Sequence, residues 1–147
     1  IVSACLAGFC CRYDGKSNCD ERVVHLVRSG KALLVCPEQL GGLATPRCCC
    51  EIQRNSRRVV NTGGEDVTEH FELGAREVAR LAELYEIPCA LLQERSPSCG
   101  VNTVYDGTFS RKLIPGKGIT ASLLEEKGII LFSLDEMDKL LKYLSGE

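Results

Sequence analysis

Pro88-Cys89-Ala90-Leu91-Leu92, running into Gln93-Glu94-Arg95-Ser96-Pro97-Ser98-Cys99-Gly100, is the stretch that decides the fold. A short apolar run that stops in a polar, proline- and glycine-bearing loop reads as a strand buried on both faces. The longest helical pattern of the chain precedes it. Asp66 with Glu69 opens that pattern, and Val67, Phe71, Ala75, Val78, Ala82 and Tyr85 recur along one side. After a loop bearing glycine and proline comes a shorter helix over Thr120–Lys127, ended by Gly128, and then a buried strand over Ile129–Phe132. Ser133 with Glu136 makes a capping box for a last helix that carries Met137, Leu140, Leu141 and Leu144.

The same alternation holds toward the start. Ile1–Ala4 is a short apolar strand stopping at Cys5 and Gly8, followed by a loop over Leu6–Asn18 with Tyr13-Asp14-Gly15 as a turn. Asn18 reads as an N-cap with Glu21 three residues on. Val23, Val24, Leu26 and Val27 give the apolar face of that helix, and Gly30 ends it. A second strand, Ala32–Val35, stops at Cys36-Pro37. Gly41, Gly42 and Pro46 keep the next segment in loop conformation, and a short extension over Arg57–Val60 is broken by Gly63-Gly64. Four strands alternating with helices predict one α/β domain spanning 1–147. Its mostly parallel four-stranded sheet carries helices on both faces, a Rossmann-like three-layer arrangement.

Composition narrows the function classes. A formal charge of −2 argues against a protein that works by neutralising phosphates, so no stable nucleic-acid partner is expected. No apolar run is long enough to span a bilayer, so no membrane role is expected either. The apolar opening Ile1–Cys11 lacks a basic flank and a small-residue cleavage site, so it does not read as a signal peptide. The expected location is cytoplasmic. Oligomeric state leaves no mark in the sequence.

Ten cysteines, at 5, 10, 11, 19, 36, 48, 49, 50, 89 and 99, are the anomaly. A chain of this length can build a core without disulfide staples, and thiols in an α/β domain serve more often as ligands or catalytic groups. In open parallel sheets, ligands bind outside the carboxyl ends of the strands. Cys5 follows the first strand, Cys36 the second, and Cys99 lies in the loop after the third, so three thiols distant in sequence converge on one rim. Soft thiolates select zinc, Cu(I) or iron–sulfur clusters. Zinc sites usually use local C-x2-C pairs, which are missing here. Three thiolates on a cubane would leave one iron open for a substrate atom. Cys11 or one of Cys48, Cys49 and Cys50 remains available as a fourth ligand. Glu38 and Ser96 share the rim as an acid–base group and a hydroxyl, and Arg12, Asp14, Arg47, Glu94 and Arg95 are further loop residues that can face it.

Ser3-Ala4-Cys5-Leu6-Ala7-Gly8, Cys11-Arg12-Tyr13-Asp14-Gly15, Cys36-Pro37-Glu38, Gly42-Leu43, Thr45-Pro46-Arg47 and Glu94-Arg95-Ser96-Pro97-Ser98-Cys99-Gly100 together resemble the DUF523 family. Asp106-Gly107-Thr108-Phe109-Ser110 and Gly118-Ile119-Thr120-Ala121 extend the likeness over nearly the whole chain. The resemblance implies a thiouracil desulfidase-like enzyme with a [4Fe-4S] cluster on three cysteines, here Cys5, Cys36 and Cys99. It further implies Glu38 as the acid–base residue and Ser96 as a substrate-orienting neighbour. The implied reaction is non-redox: a small thiolated base or nucleoside loses its sulfur as sulfide and becomes the oxo-compound. Cys48-Cys49-Cys50 departs from the family pattern, in which proline and small residues follow the arginine, and reads as incidental.

The remaining signals are ordinary. Cys19 and Cys89 read as packing residues, and one of Cys10 and Cys11 as a bystander. His25 and His70 lie in helical patterns away from the rim cysteines, and the paired glycines match no phosphate-cradling fingerprint. Two other functions compete with the enzyme. One is a non-catalytic zinc or iron–sulfur carrier module. The other is a thiol redox protein, against which the lack of C-x-x-C counts.

Overall fold

The computed structural model describes residues 1–147. In chain order its elements are β1 (Val2–Ser3), α1 (Glu21–Arg28), β2 (Leu34–Val35), α2 (Pro37–Leu40), β3 (Cys50–Ile52), β4 (Val59–Asn61), α3 (Thr68–Leu84), β5 (Cys89–Leu91), β6 (Thr103–Tyr105), β7 (Leu113–Pro115), α4 (Ile119–Glu126), β8 (Ile130–Phe132) and α5 (Met137–Ser145). The predicted strands form one four-stranded sheet in the order β2-β1-β5-β8. All three pairings are parallel, with Val2 opposite Leu34 and Leu91, and Leu91 opposite Phe132.

Because strand side chains alternate between faces, consecutive apolar residues feed two separate cores. Ile1, Val35, Ala90 and Leu92 face α3 and α4 and meet Val78, Ala82, Ala121 and Leu124. Val2, Cys89, Leu91 and Phe132 face α1 and α5 and meet Val23, Leu26, Met137 and Leu140. The sheet is therefore sandwiched between helices, as the continuous apolar runs predict. Each fully buried Leu or Phe contributes about 1.5–3 kcal/mol relative to exposure.

The structure departs from the predicted pattern at several points. Asp20, not Asn18, caps α1, its carboxylate accepting the Arg22 N–H. Tyr85 is 66% exposed instead of packed, because α3 ends at Leu84 and Glu86 turns the chain with φ 51°. Cys19 is exposed. The short extension expected over Arg57–Val60 overlaps β4, but its partner β3 and the second antiparallel hairpin, β6–β7, lie in segments read as loop. With three residues per strand, neither hairpin is long enough to show a period-two pattern.

Strand order reverses between β1 and β5: the chain first extends outward to β2, then returns across β1 to build β5 and β8. The crevice beyond the carboxyl ends of β1 and β5 is the switch point at which such sheets bind ligands. The short helix α2 is seated there by two glycines. A Cβ on Gly74 of α3 would lie 1.9 Å from the Pro37 carbonyl oxygen, and one on Gly41 would lie 1.9 Å from the His70 oxygen. His70 itself contacts the Gly41 oxygen through Nδ1 at 2.7 Å, a helix-packing role.

Candidate active site

A cavity of about 750 Å³ opens at this switch point, and Cys5, Cys36 and Cys99 all line it. Each thiol comes from a different backbone device. Cys5 sits in the 3-10 turn Ala4–Ala7, which begins where β1 stops and ends at Gly8 with φ 97°. Cys36 is the N-cap of α2, with Pro37 in the first helical position, where its missing N–H costs nothing. Cys99 lies in a loop clamped from two directions. Ser96 Oγ accepts the N–H groups of Ser98 and Cys99 at 3.1 and 3.0 Å. Glu94 accepts those of Val101, Asn102 and Thr103.

The first turn of α4 fixes this loop from below. Its otherwise unpaired N–H groups at Ile119 and Thr120 donate to the carbonyls of Pro97 and Ser98 at 2.8 and 2.9 Å. Gly118 permits the approach, since a Cβ there would fall 2.4 Å from the Ser98 carbonyl.

Glu38, in the first turn of α2, faces the same cavity beside Arg47. Arg47 Nη2 donates to Glu38 Oε2 at 3.3 Å and to the Cys11 carbonyl at 2.8 Å, while Nη1 donates to Thr45 Oγ1 and the Ala44 carbonyl. Burial raises the carboxyl pKa of Glu38, and the charge of Arg47 only partly opposes that. Burial likewise pushes the Cys99 thiol up to about 12. Cys36 is raised first by the hydrogen bond it shares with Cys11 and then by burial. These thiols stay neutral in the protein alone, and a metal centre is the agent that deprotonates buried cysteines outright.

The structure brings together every site residue expected from the sequence: Cys5, Cys36, Cys99, Glu38 and Ser96 line one cavity. It also places Cys11, the candidate fourth ligand, on the cavity wall and adds Gln93 and Asn18, which the sequence did not mark as rim residues. Cys11 is buried among the rim thiols, within hydrogen-bonding reach of Cys36 and Cys5. Gln93 Oε1 accepts from Asn18 Nδ2 at 2.8 Å and from the Cys5 thiol at 3.9 Å, and Asn18 in turn accepts from Arg12 at 2.6 Å. Asn18 is thus a rim residue rather than a helix cap, and its place in a polar loop between two rim motifs was the available signal. Cys49 and Cys50 line the opposite wall, whereas Cys10 and Cys48 are exposed.

All ten cysteines are free. No three His, Cys, Asp or Glu side chains converge tightly enough to hold one metal ion. Four thiolates on one zinc would sit about 3.8 Å apart, from Zn–S bonds of about 2.3 Å in a tetrahedron. The rim side chains form no such set around a single ion, which disfavours zinc. A multi-iron cluster takes each thiolate at a different corner, so three soft thiols around one cavity fit it.

Comparison with known proteins agrees with this chemistry. A family model described as 2-thiouracil desulfurase matches residues 1–136. The chain is 40% identical over 149 residues to the uncharacterized protein YbbK of Bacillus subtilis (strain 168), covering 96% of this chain and 99% of that one. The solved structure of a [4Fe-4S]-dependent thiouracil desulfidase, TudS (DUF523Vcz), superposes with a TM-score of 0.93 at 42% identity, covering 99% of this chain and 97% of that one.

Proposed function

The chain belongs to the 2-thiouracil desulfurase family, and from that membership we propose that it is a [4Fe-4S]-dependent desulfidase acting on a thiolated nucleobase or nucleoside of the 2-thiouracil kind. The observation that carries the reading is the meeting of Cys5, Cys36 and Cys99 with Glu38 in one cavity at the sheet's switch point. Cys5, Cys36 and Cys99 would hold the cluster. Bound by three thiolates, such a cluster supplies an open iron, a soft Lewis acid suited to sulfur.

The net conversion is hydrolytic. A C=S group and water give C=O and hydrogen sulfide, with no change in oxidation state. The chain's own groups handle the protons and the orientation. Burial keeps Glu38 protonated to higher pH than a solvated carboxyl, which suits it to giving a proton and taking one back. Arg47 holds that carboxyl in place through Oε2. Ser96 accepts two backbone N–H groups, which leaves its O–H proton free to orient a substrate acceptor. Residues 1–147 act as one domain in this reading, since the cavity draws on both the sheet rim and the hairpins. No helix is long and apolar enough to cross a membrane, and free thiols on such a cluster suit a reducing cytoplasm.

The decisive measurement is iron and acid-labile sulfide after anaerobic purification, followed by 2-thiouracil turnover. About four of each per chain, as a cubane requires, with uracil and sulfide released, is the expected result. Zinc, or no metal even after reconstitution, sinks the reading in favour of a structural or thiol-based role.

A further inference from the structure

Arg47 carries a feature shared by no other buried side chain in the protein. Of its five guanidinium N–H groups, four point at Thr45 Oγ1, the Ala44 carbonyl, the Cys11 carbonyl and Glu38 Oε2. The fifth, on Nε, is buried and reaches no protein acceptor, the one buried side-chain nitrogen or oxygen so left. The side chain is only 6% exposed. A desolvated donor on a cation is among the costlier groups to leave unpaired. Such a group calls for a partner from outside the chain, a held water, an ion or a ligand.

We propose that Arg47 reads the substrate: its Nε–H donates to the exocyclic oxygen that a thiouracil retains. This rests on the desulfidase reading of the same cavity and deepens it. Arg47 lines the cavity, and Nε and Nη2 are bonded to the same carbon. Nη2 holds both the Cys11 carbonyl at 2.8 Å and the Glu38 carboxyl at 3.3 Å, so a group accepting from Nε–H lies close to that pair. Arg47 and Glu38 together present a fixed donor next to a carboxyl oxygen that accepts when ionised. The matching ligand edge is a carbonyl oxygen adjacent to a ring N–H, the imide edge common to uracil and both of its monothio isomers. An aliphatic thiol, a thioether or a thiopyrimidine without the oxygen offers no such edge. Arg12 is spoken for by Asn18 and Asp14, and Arg95 and Arg111 lie at the exposed rim, where water satisfies them. Only Arg47 pairs burial with a donor to spare.

The test is equilibrium dialysis of the full chain, purified anaerobically, against uracil and against 2-aminopyrimidine, which keeps an N–H donor for Glu38 but has no carbonyl oxygen. Wild type should prefer uracil. Arg47→Lys should weaken uracil binding by about 10- to 100-fold and 2-aminopyrimidine binding by less than about 3-fold, the size expected for one lost charge-assisted hydrogen bond. Effects of the variant on the Glu38 carboxyl or on the cavity wall act on both ligands and cancel in the ratio. Equal weakening of both ligands overturns the proposal and makes Arg47 a wall support. Unchanged uracil binding overturns it as well. Should Arg47→Lys or Arg47→Gln not fold, wild type alone decides: no preference for uracil, the result a trapped water on Nε would give, ends the proposal. A wild type that discriminates the two ligands yet releases no sulfide from 2-thiouracil disproves the desulfidase reading alone. One that desulfurises 2-thiouracil and 2-thiopyrimidine equally well disproves the Arg47 assignment alone.

Discussion

The two walls of the cavity are built by different physics. On the sheet side, Cys5, Cys36 and Cys99 hang from strand ends whose positions are set by two buried cores and a parallel ladder. Main-chain groups finish the job, as the first turn of α4 gripping the carbonyls of Pro97 and Ser98 shows. On the far side, the β3–β4 and β6–β7 hairpins have three residues per strand and are joined through side chains. There Glu51 Oε1 accepts the N–H groups of Gly107 and Phe109, and Gln53 Nε2 donates to the Gly107 carbonyl. Backbone-built walls hold reactive groups rigidly, while walls of hairpins and loops vary and set what fits. In the proposed reaction the sheet side therefore carries the chemistry together with the polar contacts from Ser96 and Arg47, and the hairpins shape the rest of the substrate's fit.

The sharpest way to break that division is to exchange one thiol on each side. Serine at position 5, 36 or 99 should abolish bound iron and reduce turnover by more than about 100-fold, since an open cluster site has no ligand to spare. Cys50→Ser, on the hairpin wall, should leave iron content within about twofold of wild type, the scatter ordinary for a residue that is no ligand. Loss of iron from Cys50→Ser would make the far wall part of the metal site and dissolve the distinction.

Within the sheet-side wall, holding the cluster and moving the proton should separate. Glu38→Gln should retain iron yet lower kcat by about 100-fold or more, the usual worth of a placed acid–base group. The sign of the pH effect follows from burial. A raised pKa keeps Glu38 protonated to higher pH, so a rate that needs its proton falls as pH climbs through that value. This alkaline limb should be missing from the pH profile of Glu38→Gln. Gly74→Ala acts further back. Its Cβ would lie 1.9 Å from the Pro37 carbonyl, so α2 must shift or α3 must strain. Thermal unfolding should report a loss of about 1–3 kcal/mol, and turnover should drop by more than iron content, because Glu38 moves with α2.

How much of this was legible in the sequence follows the same division. The sheet side was readable because strands such as Pro88–Leu92 are continuous apolar runs and because Cys5, Cys36 and Cys99 stand directly after such runs or in the loop beyond. Strand ends can be located from local pattern, and α/β topology then brings them together. The far wall was not readable. Cys50-Glu51-Ile52 pairs with Val59-Val60-Asn61, and nothing in three residues of either segment announces a partner. Arg47 was visible as a loop cation but its spare donor was not, since that depends on four acceptors drawn from Cys11, Glu38, Ala44 and Thr45. Asn18 misled for a related reason: a good capping residue two positions from the true cap, Asp20, was instead drawn to Gln93.

The smallest expected effect is the one most specific to the hairpin wall. Glu51 is buried, and a single carboxylate oxygen carries the N–H groups of both Gly107 and Phe109. Phe109 and Arg111 hold φ of 58° and 63°, a backbone region that side-chain-bearing residues adopt only when their surroundings impose it. Glu51→Gln keeps a carbonyl oxygen for the two donors but removes the charge, so denaturant unfolding should register a loss of about 1 kcal/mol. If this wall sets fit alone, KM for 2-thiouracil should rise by about threefold, a fraction of one hydrogen bond's worth, while kcat and bound iron stay level. A fall in kcat with KM unchanged would mean that the hairpins help to align the reacting groups, and the two walls would have to be counted as one catalytic unit.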